Sequence, residues 1–265
     1  MKYFFNTMFV LLVKFGINPI SMWRFFLGLP FFVKDAFVFY WQKRKSNEKQ
    51  HFSFGLLFPI LDERFKSSGS ASGHYFHQDL LVARRIYENK PDVHLDIGSR
   101  VDGFVAHVAS FRKIEVLDVR PIGQKVQNIT FKRADLMQLD DSMSEYCDSL
   151  SCLHALEHFG LGRYNDPVNY DGYLNGLNSI YQILKVGGKF YLSVPIGKQR
   201  VEFNAHRVFS VEYLLGLFDD KYTVDYFSYV DDSGDLHTNI AIGKVDISDS
   251  FGCSYGCGIF EMTKI

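Results

Sequence analysis

The feature that most constrains this chain is an apolar strand, a glycine turn, a helix and a second strand within residues 92–118. Asp96 and Gly98 end the first strand, and Asp118 ends the second. A glycine lets the backbone approach a ligand closely because it has no Cβ. A carboxylate at the tip of the second strand can accept hydrogen bonds from both hydroxyls of a ribose. The segment therefore predicts the opening unit of a nucleotide-binding α/β sheet.

The glycine turn departs from the dinucleotide-binding pattern G-x-G-x-x-G. Gly98 and Gly103 are present, but Arg100 and Asp102 stand between them. A pyrophosphate would meet the carboxylate of Asp102, and this repulsion argues against NAD. The turn suits S-adenosyl-L-methionine better, since that cofactor is cationic at its sulfonium and ammonium groups. An ordinary β-to-α turn without a ligand remains the alternative.

Apolar segments and turn residues alternate along the chain after residue 74. Strands are expected at residues 93–97, 114–117, 129–132, 148–153, 189–194, 223–229 and 236–243, and helices at 77–89, 104–111, 174–184 and 211–218. Strands that alternate with helices indicate an α/β fold with a mostly parallel sheet. Ligands of such sheets bind where the strands end at their carboxyl side.

Polar residues follow successive strands and predict one cofactor crevice. Asp118 is expected to accept the ribose hydroxyls, and Asp135, which precedes Leu136, to accept from an adenine amino group. Each acidic residue alone is equally consistent with a solvated loop. The predicted cofactor-binding residues are Asp96, Gly98, Gly103, Asp118, Asp135 and Leu136.

Two later clusters contain candidate catalytic residues. Glu157 and His158 follow the fourth strand, and Asn204, His206 and Arg207 follow the fifth. We expect His158 or His206 to remove the proton of a substrate hydroxyl, and Glu157 to orient an imidazole. Arg207 is expected to hold an anionic substrate group bidentately. The alternative for the second cluster is a loop network that ties a helix to the sheet.

Substrate contacts are predicted for three further positions. His74 lies in the segment 73–79, which is expected to form a lid ahead of the first strand. Arg163 and Asn204 lie in loops after the fourth and fifth strands, and Asn204 can hydrogen-bond a sugar hydroxyl. The histidines of the lid segment are equally consistent with surface groups.

Residues 154–158, His-Ala-Leu-Glu-His, also match the zinc-binding pattern H-x-x-E-H. A zinc site of that pattern needs a long helix around the motif. Here a predicted strand precedes residues 154–158, and Gly160, Gly162 and Pro167 follow them closely, so a helix cannot continue. Cys253 and Cys257 form a C-x-x-x-C pair with no matching second pair. We therefore predict no metal ligands, and keep metal-dependent hydrolysis or group transfer as an alternative function.

Composition narrows the choice of partners and compartment. The net charge is −1, which does not predict a nucleic-acid-binding surface. The four cysteines lack disulfide-framework spacing for so long a chain, so reduced thiols in the cytoplasm are expected.

Residues 1–46 form a separate apolar and basic block. Residues 1–34 contain no acidic residue, and the longest uncharged run, residues 3–13, has 11 residues. This run is shorter than the roughly 20 residues that cross a bilayer. Aromatic residues interleaved with Lys and Arg predict helices that lie on an anionic membrane surface. An apolar cap on the catalytic domain and a dimer contact are the alternatives.

Three segments resemble the motifs of class I S-adenosylmethionine-dependent methyltransferases. They are residues 94–98 (His-Leu-Asp-Ile-Gly), residues 156–158 (Leu-Glu-His) and residues 184–195, which include Gly187-Gly188 and end in Ser-Val-Pro. More narrowly, HYFHQD, SLSCLHALEHFGLGRY, FNAHR and YGCGIF resemble an uncharacterised family of methyltransferase-like proteins, labelled a domain of unknown function. Members of that family often occur with bacterial surface-polysaccharide genes.

This resemblance covers residues 50–262 and carries several expectations. It implies a Rossmann-like class I methyltransferase fold with a mostly parallel seven-stranded sheet in residues 92–265, preceded by a connector and lid in residues 47–91. It implies methyl transfer from S-adenosyl-L-methionine to a sugar hydroxyl of a nucleotide sugar or a lipid-linked glycan. The alternative within the same fold is a non-catalytic module that recruits glycan-assembly enzymes.

Overall fold

The computed structural model describes Val13 and residues 15–121, 123–138, 143–243 and 247–265. The chain forms two compact units, the first ending at Ser70 and the second spanning Ala71–Ile265. Helix α1, Pro19–Lys45, belongs to the first unit, and the side chain of Asn18 caps its first turn. None of the helices within the described ranges is long and apolar enough to cross a membrane.

The second unit contains an eight-stranded sheet with the order β3-β2-β1-β4-β5-β10-β8-β9. Its strands are β1 (His94–Ile97), β2 (Ile114–Asp118), β3 (Ile129–Arg133), β4 (Cys147–Leu153), β5 (Leu184–Ile196), β8 (Tyr222–Val230), β9 (Leu236–His237) and β10 (Gly256–Lys264). Strands β1 to β5 pair in parallel, and β10 is antiparallel to both β5 and β8. The sheet is mixed, and the predicted number of seven strands is wrong by one.

The predicted set of strands needs two corrections in the carboxyl-terminal part of the chain. The strand expected at residues 236–243 is only the two-residue β9, which pairs with the end of β8. Strand β10 was not predicted, although eight of its nine residues are buried. A strand that is buried on both faces has no apolar-polar alternation, so its sequence pattern is weak.

Four helices in the described ranges of the second unit cover the sheet. They are α2 (His74–Asn89), α3 (a wide helical turn at Val101–Val105 continued by Ala106–Ala109), α4 (Gly172–Ile183) and α5 (Val211–Phe218). Buried residues of α2 and α3 share one apolar cluster with the sheet, and those of α4 and α5 share another. The fold is therefore a three-layer α/β/α arrangement, which belongs to the predicted α/β class.

A small two-stranded sheet follows β5. It pairs β6 (Arg200–Glu202) with β7 (His206–Val208) in antiparallel fashion. Helix α2, in the segment assigned from sequence to the connector and lid, packs within the second unit. The carboxyl ends of β1, β2 and β4 and the start of α2 hold the side chains discussed next.

Candidate active site

A cleft opens at the carboxyl ends of β1, β2 and β4 and at the loop after β3. It encloses about 530 Å³ of space, which includes open solvent. Six of the residues singled out from the sequence line it: Gly98, Asp118, Asp135, Leu136, His154 and His158. The expectation that strand ends gather these residues into one crevice agrees with this arrangement.

Gly98 makes the turn at the floor of the cleft. Its φ is +70°, and its N–H donates to the carbonyl of Leu117 at 2.9 Å. A Cβ at this position would lie 2.9 Å from the Cβ of Ala155. Glycine is required here both by the left-handed backbone and by the close approach of the chain after β4.

Asp96 is fully buried and supports this turn without lining the cleft. Its carboxyl group accepts hydrogen bonds from the Ser99 hydroxyl at 2.7 Å, the Ser99 N–H at 3.1 Å and the Ser151 hydroxyl at 2.5 Å. Burial raises the pKa of Asp96 to about 7, although these hydrogen bonds act in the opposite direction. Its direct contacts therefore fix the conformation of the glycine turn.

The residues that interrupt the glycine pattern lie outside the cleft. Arg100 and Asp102 form an exposed ion pair at 2.9 Å. Gly103 lies in α3, where a Cβ would come within 2.8 Å of a carboxylate oxygen of Asp79. Because Arg100 pairs with Asp102 at the surface, neither side chain plugs the cleft. Gly103 serves close packing of α3 against α2.

Asp118 lies at the tip of β2, where a ribose-binding carboxylate was predicted, but both of its oxygens are engaged. The Arg120 guanidinium donates to them at 3.0 and 2.7 Å, and the backbone N–H of Arg120 donates to Oδ1 at 2.8 Å. The same guanidinium lies 4.3 Å from the ring centre of Tyr164, another cleft residue. A ribose at Asp118 would have to displace an arginine side chain that is 49% exposed.

Asp135 and Leu136 form the opposite part of the cleft wall. The Oδ1 atom of Asp135 accepts the N–H of Met137 at 2.9 Å, which closes the short helical turn Leu136–Gln138. Leu136 is buried and supplies an apolar surface next to this carboxylate.

His158 is the candidate base that lies in the cleft wall. Its Nδ1 lies 2.7 Å from the carbonyl oxygen of Ala205, to which Arg163 also donates at 2.9 Å. A carbonyl only accepts, so Nδ1 carries the proton and Nε2 keeps its lone pair. Burial lowers the pKa of His158, Arg163 and His154 lower it further, and Glu157 opposes them. This histidine is therefore neutral at physiological pH.

The second predicted cluster stands apart from the cleft. His206 Nε2 faces Glu202 at 3.3 Å, and Asn204 is exposed in the turn between β6 and β7. Arg207 is buried and donates to the carbonyls of Phe159 at 2.7 Å and Tyr170 at 2.9 Å. Its donors are thus used to hold the loops that follow β4, which leaves the predicted grip on a substrate anion without support in the geometry.

A second, buried polar cluster adjoins the cleft. His154 has a left-handed backbone with φ +50°, and its N–H donates to the Ser193 carbonyl at 2.9 Å. Its Nδ1 lies 2.7 Å from Glu157 Oε1, and its ring stacks on that of His74 with centres 5.2 Å apart. Burial lowers the pKa of His154, but Cys257 and Glu157 together raise it to about 10. Sequence analysis considered Cys257 only as a partner of Cys253 and did not place it beside His154, because it comes from the unpredicted β10.

Comparison with known proteins assigns this sequence to a family. Residues 107–243, just over half of the chain, match the family described as "Caenorhabditis protein of unknown function, DUF268". The chain belongs to this family. No curated protein matches the sequence. The DUF268 match runs from the last turn of α3 to the loop after β9, and so includes Asp118, Asp135 and His158.

Solved structures show which fold this DUF268 protein has. The N-methyltransferase NodS from Bradyrhizobium japonicum WM9 is 13% identical, with 74% of this chain and 99% of that chain covered and a TM-score of 0.50. A Burkholderia thailandensis 1,6-didemethyltoxoflavin-N1-methyltransferase is 15% identical, with 71% and 78% covered and a TM-score of 0.50. The predicted Rossmann-like methyltransferase fold is confirmed, and at this identity the likeness shows the fold alone.

Proposed function

We propose that this protein transfers a methyl group from S-adenosyl-L-methionine to a hydroxyl of a sugar. The observation that carries the proposal is the cleft in which Gly98, Asp118 and Asp135 converge at the strand ends of a methyltransferase fold. The Burkholderia enzyme of this fold was solved with S-adenosylhomocysteine bound. A nucleotide sugar or a lipid-linked glycan is the acceptor class that the family resemblance supports.

Residues of the cleft fit the ribose and the adenine of this cofactor. Gly98 turns the chain at the floor of the cleft, where a side chain would collide with Ala155. Asp118 would accept the ribose hydroxyls once Arg120 has moved away, and Asp135 beside the apolar Leu136 would receive the adenine. When bound, S-adenosylmethionine supplies an electrophilic methyl group on a cationic sulfur.

His158 is our choice for the base that accepts the hydroxyl proton. It lines the cleft, and its hydrogen bond to Ala205 leaves the lone pair on Nε2, which lies 3.7 Å from Glu157 Oε1. A positioned base contributes on the order of 10² to 10⁴ in rate. Holding the acceptor in line supplies roughly 7 to 11 kcal/mol more. His206 takes no part in this step because it pairs with Glu202 outside the cleft walls.

Two measurements test the proposal. A thermal-shift scan with S-adenosylmethionine and S-adenosylhomocysteine tests the cofactor, since a ligand at 100 times its Kd stabilises a protein by about 2.7 kcal/mol. Transfer of labelled methyl to nucleotide sugars is then compared for His158→Gln and for the matched control His206→Gln. We expect the first substitution to lower kcat at least a hundredfold at unchanged cofactor affinity, and the second to preserve kcat. A stabilisation by neither ligand supports the non-catalytic alternative instead.

We further propose that α1 contacts a membrane surface. The helix exposes Trp23, Phe26 and Phe37, each by more than 60%, and ends in Lys43, Arg44 and Lys45. Exposed aromatic rings beside basic residues favour the interface of an anionic bilayer. Flotation with anionic vesicles is expected to carry the intact protein and to lose a variant in which the three aromatic residues are replaced by Ser. Equal flotation of both proteins would remove the proposal.

A further inference from the structure

We propose that His74, His154 and Cys257 form a binding site for a thiophilic divalent metal ion, Zn²⁺, next to the cleft. One ligand atom from each residue lies within 4.8 Å of the other two. Two imidazole nitrogens and a thiolate are a donor set that zinc accepts in proteins. Three protein ligands would leave the fourth position of a tetrahedral ion for water or substrate.

The three donors come from distant parts of the second unit. His74 is the first residue of α2, His154 follows the last residue of β4, and Cys257 is the second residue of β10. Strand β10 pairs with β5 so that Cys257 lies opposite Pro195. No short motif joins these residues, which explains why the H-x-x-E-H pattern pointed to a different set.

His154 has the surroundings of a metal-binding histidine. Its Nδ1 donates to Glu157 Oε1 at 2.7 Å, so Nε2 is the ring nitrogen that can bind a metal once it has released its proton. This Nε2 is buried and lies beside the thiol of Cys257, another donor of the proposed site. Metal-binding histidines commonly donate their second ring N–H to a carboxylate in this way. Glu157 is therefore a positioning residue for the site and lies outside its donor set.

The other two donors converge on the same point. The His74 ring lies parallel to that of His154, with an angle of 7° between the planes. The same ring forms a hydrogen bond to the backbone of Tyr255. Cys257 is completely buried. The left-handed backbone of His154, held by Ser193, is a local strain of the kind that is found at functional sites.

A nucleophilic triad of Cys257, His154 and Glu157 is the competing explanation of this cluster. Two observations favour the metal. The thiol of Cys257 has no exposed surface for attack on a substrate. His74 has no part in such a triad, yet its ring stacks directly on that of His154.

The test uses the full-length protein, stripped with a chelator and then titrated with Zn²⁺ and, in parallel, with Co²⁺ as a spectroscopic probe. We expect one ion per chain by elemental analysis, and a thiolate-to-cobalt charge-transfer band. Cys257→Ser is expected to abolish the band, and the matched control Cys253→Ser to retain it. His74→Ala is expected to weaken binding of Zn²⁺, and Glu157→Gln to weaken it by about 10- to 100-fold.

The proposal is overturned if the unmodified protein retains no stoichiometric ion, or if Cys257→Ser and Cys253→Ser bind Zn²⁺ equally. Rapid alkylation of Cys257 at neutral pH, unchanged by added Zn²⁺, overturns it in favour of the nucleophilic triad. Should Cys257→Ser fail to fold, the cobalt band of the unmodified protein and the effect of His74→Ala still decide. None of these measurements requires methyl transfer, so a failure here is distinguishable from a failure of the proposed function.

Discussion

The pair of Arg120 and Asp118 makes a specific prediction about cofactor affinity. If ribose binds to Asp118, the Arg120 guanidinium must first leave both carboxylate oxygens and the ring of Tyr164. A partly exposed ion pair stabilises by about 0.2–1 kcal/mol, and a cation–π contact by about 0.5–1 kcal/mol. Arg120→Ala removes this cost of about 0.7–2 kcal/mol, so S-adenosylhomocysteine is expected to bind roughly 3- to 30-fold more tightly.

Isothermal titration calorimetry of the intact protein and of Arg120→Ala measures this difference directly. Asp118→Ala serves as the opposite control, because it frees Arg120 but removes the acceptor, and its affinity is expected to fall. Raised salt should narrow the gap between the intact protein and Arg120→Ala, since an exposed pair is screened. Weaker binding by Arg120→Ala would refute the argument, and would show that Arg120 contacts the cofactor itself.

Three other residues give predictions about stability. The pKa of Asp96 is raised to about 7 in the folded state from 3.8, so the folded protein holds a proton that the unfolded chain releases, and this group lowers stability as pH rises from about 4 to 7. The loss in the free energy of unfolding is roughly 4 kcal/mol. In urea unfolding, this free energy should fall less steeply between about pH 4 and pH 7 for Asp96→Asn than for the unmodified protein, and equal slopes would contradict the prediction. Gly98→Ala is expected to destabilise by at least about 1–3 kcal/mol in urea unfolding, because of its positive φ and the contact with Ala155; a change below about 0.5 kcal/mol would show that the turn relaxes. Arg207→Lys should lower stability by about 2–3 kcal/mol, because lysine cannot reach several carbonyls at once, while KM for the acceptor stays constant. A raised KM at unchanged stability would instead support the prediction that Arg207 binds an anionic group of the substrate.

The parallel half of the sheet could be predicted because each element carried its own signal. Strands β1, β2 and β4 contain buried apolar residues and have polar or glycine residues at or just after their carboxyl ends. Helix α5 was predicted with its observed bounds, Val211–Phe218, and Ser210 caps its first turn. The antiparallel side was harder. Strand β10 begins Gly-Cys-Gly and is buried on both faces, so neither propensity nor alternation marks it.

The candidate site was predictable only as far as strand ends determine it. Asp118 and Asp135 lie in the cleft because carboxyl ends of parallel strands share one edge. Sequence could not rank His158 against His206, because the choice depends on how β6 and β7 fold away from the cleft. The sequence also could not predict that Arg120 forms an ion pair with Asp118. Whether two side chains that are two residues apart can pair depends on the conformation of the turn between them.

The position of β10 has a consequence for how the second unit is built during synthesis. Among the described residues, strands β8 and β9 are hydrogen-bonded to the parallel strands only through β10, which follows them in the sequence. Until residues 256–264 have left the ribosome, the two parts of the sheet present open edges that cannot yet join. Such edges are templates for pairing with other chains. Nascent protein is therefore open to aggregation through these edges until β10 emerges and joins them.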